Sequence, residues 1–353
     1  MTHRYLVTGA QGFVGRFFVA DVLRTDPAAR VLGIGRSPQS PGTFTHWLNW
    51  CGHELRAPLP EELLDVSHAG DRYQYEAVDL LAEARLSGIV QEFRPTRVIH
   101  LASGLWGDRA EKLFGCNVQG TINLLQVLST LDGDDLDRIV LGSSGGVYGR
   151  ANGGIRQVPF AESMPPDPIH MYSVSKLAGE MAAQVIACDA DLPICIARIF
   201  NIVGPGQDER HVCGRWISEL TAIQAGQKPP VMKVGNLEPT RDMIDVRDVS
   251  TALLTICERG SDRQTYNVGT GIETKMNTIL DLCLQISGQT DVDIGALPPR
   301  EVDLPRHYAD ITKLSRLGWK PQYELRQSLA ELHKYYVEAV VPCLLEREGE
   351  LHG

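Results

Sequence analysis

The segment Tyr5 to Gly15 constrains the fold of this chain more than any other. Tyr5-Leu6-Val7 reads as a short buried strand, and Thr8-Gly9-Ala10-Gln11-Gly12-Phe13-Val14-Gly15 follows it with glycines in the pattern G-x-x-G-x-x-G. Val14 to Leu23 then has the spacing of a helix. A strand, a glycine turn and a helix in that order predict the first crossover of a parallel sheet. Gly9 suits the tight turn, Gly12 a close backbone approach to a pyrophosphate, and Gly15 close helix–strand packing. The helix N-terminus would present free N–H groups and a positive dipole end to phosphates.

The alternation continues through the first half. Val31 to Gly35, Arg97 to Leu101, Arg138 to Gly142 and Ile194 to Arg198 read as strands, with helix-like stretches at Cys116 to Leu128 and Ser173 to Cys188. Strands alternating with helices predict an α/β fold, a doubly wound parallel sheet covered on both faces. After about Gly204 the segments shorten and Gly, Pro and Arg become more frequent, as in a smaller substrate lobe. The expected organisation is a dinucleotide domain over 1–201, with 242–268 returning to it, and a substrate lobe from 202–241 and 269–353. Pro38 to Gly70 is an irregular insertion, read as a surface excursion or a cap over the site.

Composition narrows the partners. Lys+Arg is 34 and Asp+Glu is 44 in 353 residues, for a formal charge of −10. That excludes a global basic field for nucleic acid but not local anion sites. No apolar run reaches the ~18 residues of a membrane span, and the N-terminus enters a strand directly, so neither a membrane segment nor a signal peptide is expected. The eight scattered cysteines form no C-x-x-C pair; reduced thiols, no metal site and a cytoplasmic location are expected.

The residues after the second strand bear on the cofactor. A carboxylate there would bind the adenosine ribose 2′-hydroxyl and favour NAD; this chain has Gly35-Arg36-Ser37 instead. Arg36 suits a 2′-phosphate and Ser37 adds a donor, which predicts NADP rather than NAD. Asp79 and Leu80, at the end of a further short strand, are expected to flank the adenine. Tyr172 and Lys176 stand at i and i+4 on one helix face. An ammonium near a phenol lowers the phenol's pKa and suits it to proton exchange. Ser143-Ser144-Gly145-Gly146-Val147-Tyr148-Gly149 follows the strand from Arg138, so its hydroxyls sit at a strand's C-terminal end, where ligands bind in such sheets.

Together these motifs resemble the extended short-chain dehydrogenase/reductases that act on nucleotide sugars, a Rossmann-type family. The resemblance covers nearly the whole chain. It rests on Thr8 to Gly15, Asp79, His100-Leu101-Ala102-Ser103, Asn117, Ser143 to Gly149, Tyr172 to Lys176, and Arg198 to Gly206. It implies Ser144, Tyr172 and Lys176 as the catalytic triad, with Ser143 the runner-up for the serine and Asn117 shaping the site. It implies cofactor contacts from Gly9, Gln11, Gly12, Phe13, Val14, Gly15, Arg36, Ser37, Asp79, Leu80, Leu101, Ala102, Ser103, Tyr172 and Lys176.

The stretch Val234 to Asp242, leading into Asp245 to Asp248, is similar to the GDP-mannose dehydratase and GDP-4-keto-6-deoxymannose reductase branch. Dehydratases of the family carry a Glu two residues after the catalytic Ser/Thr; here that position is Gly146. The resemblance therefore implies NADPH-dependent reduction of a 4-keto nucleotide sugar, with 4-epimerisation second. Dehydration and a catalytically silent NADP-binding protein rank below both. Asn201, Arg241 and Arg300 are the expected substrate anchors beside Ser144, with Arg215 and Lys233 weaker candidates. Asp245 and Asp248 are expected to partner nearby arginines. Relatives imply a homodimer built on the helices around Cys116 to Leu128 and Ser173 to Cys188.

Overall fold

The computed structural model describes residues 2–38, 47–50, 53–56, 59–64, 69–131, 136–150, 158–298 and 304–344. Seven strands build the main sheet: β1 Arg4–Thr8, β2 Arg30–Gly35, β3 Tyr73–Ala77, β4 Arg97–His100, β5 Arg138–Ser144, β6 Ile194–Ile199 and β7 Thr265–Val268. Their order is β7-β6-β5-β4-β1-β2-β3, and every pair is parallel. The strand order reverses between β1 and β4, which opens a crevice at their C-terminal ends.

Side-chain alternation explains the two covered faces. Tyr5 and Val7 of β1, with Val31, Ile99, Val140 and Cys195, join one core with the helices Phe13–Thr25 and Val246–Arg259. Leu6 of β1, with Leu32, Val98, Ile139, Leu141, Ile194 and Ile196, joins the opposite core with the helices Glu83–Phe93, Gly120–Leu128 and Met171–Asp189. Each fully buried aliphatic or aromatic side chain here contributes about 1.5–3 kcal/mol. The chain from Thr312 to Trp319 returns to the first core, burying Leu314 and Trp319.

A second core is built mostly from the later part of the chain. It gathers the helices Val212–Gln224, Met276–Ser287 and Leu325–Tyr335 and the parallel pair Val231–Val234 with Asp293–Ala296. The insertion enters it. Trp47–Trp50 and His53–Arg56 form an antiparallel hairpin, and Leu48, Trp50 and Leu55 are buried in this second core. Trp50 is 1% exposed, and its indole N–H donates to the Ser218 carbonyl at 3.0 Å. A surface excursion is therefore not what the described part of the insertion is. Its apolar residues need cover, and the substrate side of the molecule supplies it.

The stretch from Cys116 to Leu128, read as one helix, starts as a π-helical turn over Gly115–Gln119 before the α-helix Gly120–Leu128. Among the described residues no helix is long and apolar enough to cross a membrane.

Candidate active site

A cavity of about 1210 Å³ runs along the C-terminal ends of the sheet strands and under the second core. It is lined by Gly9, Gln11, Gly12, Phe13, Val14 and Gly15 of the glycine turn and by Arg36 and Ser37 at the end of β2. Asp79, Leu80, Leu101, Ala102, Ser103, Ser144, Tyr172, Lys176, Asn201, Arg241, Lys233 and Arg215 also face it. The structure thus brings together the predicted residues that it describes; Arg300 lies outside the described residues.

The glycine turn is shaped as its spacing requires. Gly9 has φ +70°, and a Cβ there would lie 2.8 Å from the Ala102 nitrogen. A Cβ on Gly15 would lie 2.3 Å from the Gly9 carbonyl oxygen, so helix and turn touch only because Gly15 has none. The following helix has no side-chain cap and no acidic residue in its first turn, which leaves its N-terminal amides to a ligand. Arg36 is exposed and Ser37 half-buried. The Ser37 carbonyl accepts from the Tyr75 hydroxyl at 3.1 Å, which holds the end of β2 in place. A dinucleotide's phosphates fit this cradle, and Arg36 lies close enough to Asp108 to lower that carboxyl's pKa.

At the end of β5 the two serines separate by strand alternation. Ser143 also borders the cavity, but its hydroxyl is engaged by Glu180, to which it donates. Ser144 faces the cavity, caps the short turn Gly145–Tyr148, and accepts from the Gly146 amide at 3.1 Å. The Tyr172 hydroxyl is within hydrogen-bonding reach of the Ser144 and Ser103 side chains. Burial raises the Tyr172 pKa above the usual phenol value, while those two hydrogen bonds pull it down. This differs from the expected lowering by Lys176. The Lys176 ammonium donates to the Gly142 carbonyl at 2.7 Å, and burial lowers its own pKa to about 8, with Cys116 and Glu180 opposing.

Three groups that sequence reasoning did not rank highly hold this constellation. The Asn117 carbonyl oxygen accepts from the Ser103 hydroxyl and the Gly104 amide, each at 2.9 Å, and its amide donates to Ser175 at 2.8 Å. It thereby ties the loop after β4 to the helix of Tyr172, and its place in the π-helical turn aims it there. His100 is buried between Thr8 and Thr121, at 2.6 and 2.9 Å. Thr121 donates to the Asn117 backbone carbonyl, so His100 Nε2 carries the proton, and Nδ1 accepts from Thr8. Burial, with Lys176 nearby, pushes the His100 pKa down to about 3. His307 Nε2 donates to the Gly145 carbonyl at 3.0 Å while its ring packs on Phe200. It thus joins the substrate side to the serine turn.

On the substrate side, Asn201 donates to the Asp242 carbonyl at 3.1 Å. Arg241 donates to the Thr240 and Leu304 carbonyls at 2.8 and 2.7 Å. Arg215 pairs loosely with Glu219 at 4.0 Å. Asp245 pairs with Arg247 at 2.8 Å, as expected. Asp248 differs from expectation: it accepts from the backbone amides of Gln322 and Tyr323 at 2.9 and 3.0 Å. Asp242 is fully buried and accepts from the amides of Thr270, Gly271 and Ala309. It clamps the junction of the two cores.

Residues 5–269 match the sequence model of the NAD dependent epimerase/dehydratase family. The chain is 29% identical over 336 residues to the GDP-6-deoxy-D-mannose reductase of Pseudomonas aeruginosa, covering 93% of this chain and 95% of that one. It is 30% identical over 339 residues to the UDP-glucose 4-epimerase of Mycolicibacterium smegmatis, covering 94% and 98%. The solved structure of RMD from Pseudomonas aeruginosa complexed with NADPH superposes with TM-score 0.74 at 25% identity, over 95% of this chain and 99% of that one.

Proposed function

Because the chain belongs to the NAD dependent epimerase/dehydratase family, we propose that it reduces the 4-keto group of a nucleotide-activated 4-keto-6-deoxyhexose, of the GDP-4-keto-6-deoxymannose type, with NADPH. That it is a nucleotide-sugar-modifying, oxidoreductase-type enzyme follows from the family and its relatives. One observation carries the choice against dehydration. Dehydration needs a base to take the proton at carbon 5, and the position two after Ser144 is Gly146. A Cβ there would lie 2.7 Å from the Ser173 hydroxyl and 3.3 Å from that of Ser144, so a glutamate has no room without displacing Ser173. The likeness to a reductase supports the same choice. Arg36 and Ser37 support NADP over NAD.

A reduced nicotinamide, when bound, supplies the hydride. The protein's own residues do the rest. The Tyr172 phenol, kept protonated by burial, gives its proton to the carbon-4 oxygen as charge develops on it. Ser144 donates a hydrogen bond to the same oxygen, with its rotamer held by the Gly146 amide. Lys176, anchored on the Gly142 carbonyl, orients ribose hydroxyls and stabilises the tyrosinate left behind. Gly9, Gln11 to Gly15, Asp79, Leu80 and Leu101 to Ser103 form the dinucleotide cradle. Asn201, Arg241 and Arg300 anchor the substrate, with bidentate guanidinium suited to its diphosphate. Exposed Met181 and Val185 on the helix Met171–Asp189 support a homodimer seam.

A second reading, 4-epimerisation, is favoured by the likeness to a UDP-glucose 4-epimerase. The test is NADPH consumption, followed by its near-ultraviolet absorbance, with GDP-4-keto-6-deoxymannose as substrate. Stoichiometric oxidation is expected, and Tyr172→Phe should lower kcat by about 10²-fold or more with NADPH affinity retained. Interconversion of a nucleotide hexose at carbon 4 without net NADPH use, by protein that keeps NAD through purification, would establish the epimerase. Full activity in Tyr172→Phe would remove the tyrosine from its role.

A further inference from the structure

Arg16 is the second-turn residue of the helix that opens at the glycine turn, and it is only 2% exposed. Its Nε donates to the Gly12 carbonyl at 3.3 Å, which holds the guanidinium against the turn. Its Nη1 is buried with no hydrogen-bond partner, and among the described residues no carboxylate forms an ion pair with it. Arg198 shows what a buried arginine ordinarily has: Glu180 accepts from both its Nε and its Nη2. Asp208 attracts Arg16 only at longer range, being engaged by Arg210, whose Nε donates to it at 2.6 Å. Burial lowers the Arg16 pKa to about 10, so the group is still a cation at neutral pH. A buried cation without a counter-charge is costly unless a ligand supplies one. Arg16 lines the large cavity together with Gly12, Phe13, Val14 and Gly15.

We propose that Arg16 is a side-chain receptor for the diphosphate of the bound dinucleotide, completing with its guanidinium the neutralisation that the helix N-terminus begins. This rests on the reading that a nicotinamide dinucleotide occupies the glycine turn. Backbone amides alone would hold the diphosphate by partial charges; Arg16 adds a full charge beside the same turn. The two arginines then divide the cofactor. Arg36 reads the ribose end, which distinguishes NADP from NAD, and Arg16 reads the diphosphate, which both share.

The test is calorimetric binding of four probes to wild type and Arg16→Met, with the melting temperature of the ligand-free proteins. NADPH and ADP-ribose carry the dinucleotide diphosphate. Adenosine 2′-monophosphate lacks it, and GDP carries a diphosphate suited to the substrate side. Arg16→Met should weaken NADPH and ADP-ribose by about tenfold or more, as loss of a charge-assisted hydrogen bond does. It should leave adenosine 2′-monophosphate and GDP unchanged. The ligand-free variant should melt no lower than wild type, because an uncompensated buried charge has gone. Arg16→Gln, polar and close in length, is the second variant should Arg16→Met not fold, and the same ligand pattern is expected of it. Unchanged ADP-ribose binding, or weakening confined to GDP, would overturn the inference; so would a lower melting temperature with affinities intact. Wild-type protein that bound no dinucleotide would sink the functional reading and this inference together.

Discussion

Under the serine turn lies a buried ion pair whose removal should be felt both in stability and in the site. Glu180 and Arg198 are 2% and 6% exposed. Arg198 Nη2 donates to Glu180 at 2.7 Å and Nε at 3.1 and 3.2 Å, and Ser143 donates to the same carboxylate. Glu180→Leu would strand a guanidinium whose remaining contact is the Tyr148 ring, 4.8 Å from its centre. Breaking such a pair from one side costs about 3–5 kcal/mol. With a urea m-value of roughly 3 kcal/mol/M, that lowers the unfolding midpoint by about 1–1.7 M. Arg198→Met, which strands the carboxylate, should cost a similar amount.

The double variant Glu180→Leu/Arg198→Met should lose much less than the sum, because two compensating charges leave together. A coupling of about 2 kcal/mol or more between the sites is expected from urea unfolding of all four proteins. Additivity within about 0.5 kcal/mol would refute the reasoning. The site supplies a second readout. Glu180 is one of the groups that favour the charged form of Lys176. Its loss should move the Lys176 pKa further below its present value, and the alkaline limb of the kcat profile should move to lower pH with it.

Two further outcomes follow from the site. His100 and His307 are held neutral by burial, with pKa values lowered to about 3 and about 4 from an ordinary 6.5. Between pH 6.5 and about 4 the unfolded chain binds protons that the folded one does not. Stability is therefore full above pH 6.5 and falls by up to about 1.4 kcal/mol per pH unit for each histidine on acidification; a flat urea midpoint over that range would contradict their burial as neutral rings. Separately, Ser144→Ala should lower kcat by about 10-fold or more, whereas Ser143→Ala should change the unfolding midpoint more than the rate; the reverse pattern in steady-state kinetics would exchange the two serines.

Much of this architecture was legible because short-range chemistry decides it. The glycine turn needs three positions without a Cβ at fixed spacing, and the structure finds a backbone carbonyl or amide atom within 3.0 Å of each of those places. Tyr172 and Lys176 share a helix face by geometry alone. Long-range pairing was not legible in the same way. Thr265–Val268 finds its partner in Ile194–Ile199, far back in the chain. The Asp242 clamp is formed by amides from two later segments, which no local pattern reveals. The choice between Ser143 and Ser144 depended on which one meets Glu180. A signal existed there: Glu180 is i+4 from Lys176, on the same helix face. The phenol's pKa is not legible in the sequence, because burial acts against ionisation and neither motif nor spacing measures burial.

The hairpin over Trp47–Trp50 and His53–Arg56 has a consequence for how the molecule is made. Trp50 finds its hydrogen-bond acceptor at Ser218, 168 residues later, and packs beside Tyr336. The last strand of the main sheet is Thr265–Val268. An early stretch of the chain is thus finished only by late ones, in both cores at once. During synthesis the first 200 residues can complete only the sheet face built from Leu6 to Ile196. The ribosome must deliver most of the chain before the core under the helix Val246–Arg259 and the second core are sealed, and apolar groups such as Leu48 and Trp50 wait uncovered until then. Truncating the C-terminal third should therefore yield not a smaller nucleotide-binding protein but one in need of a chaperone.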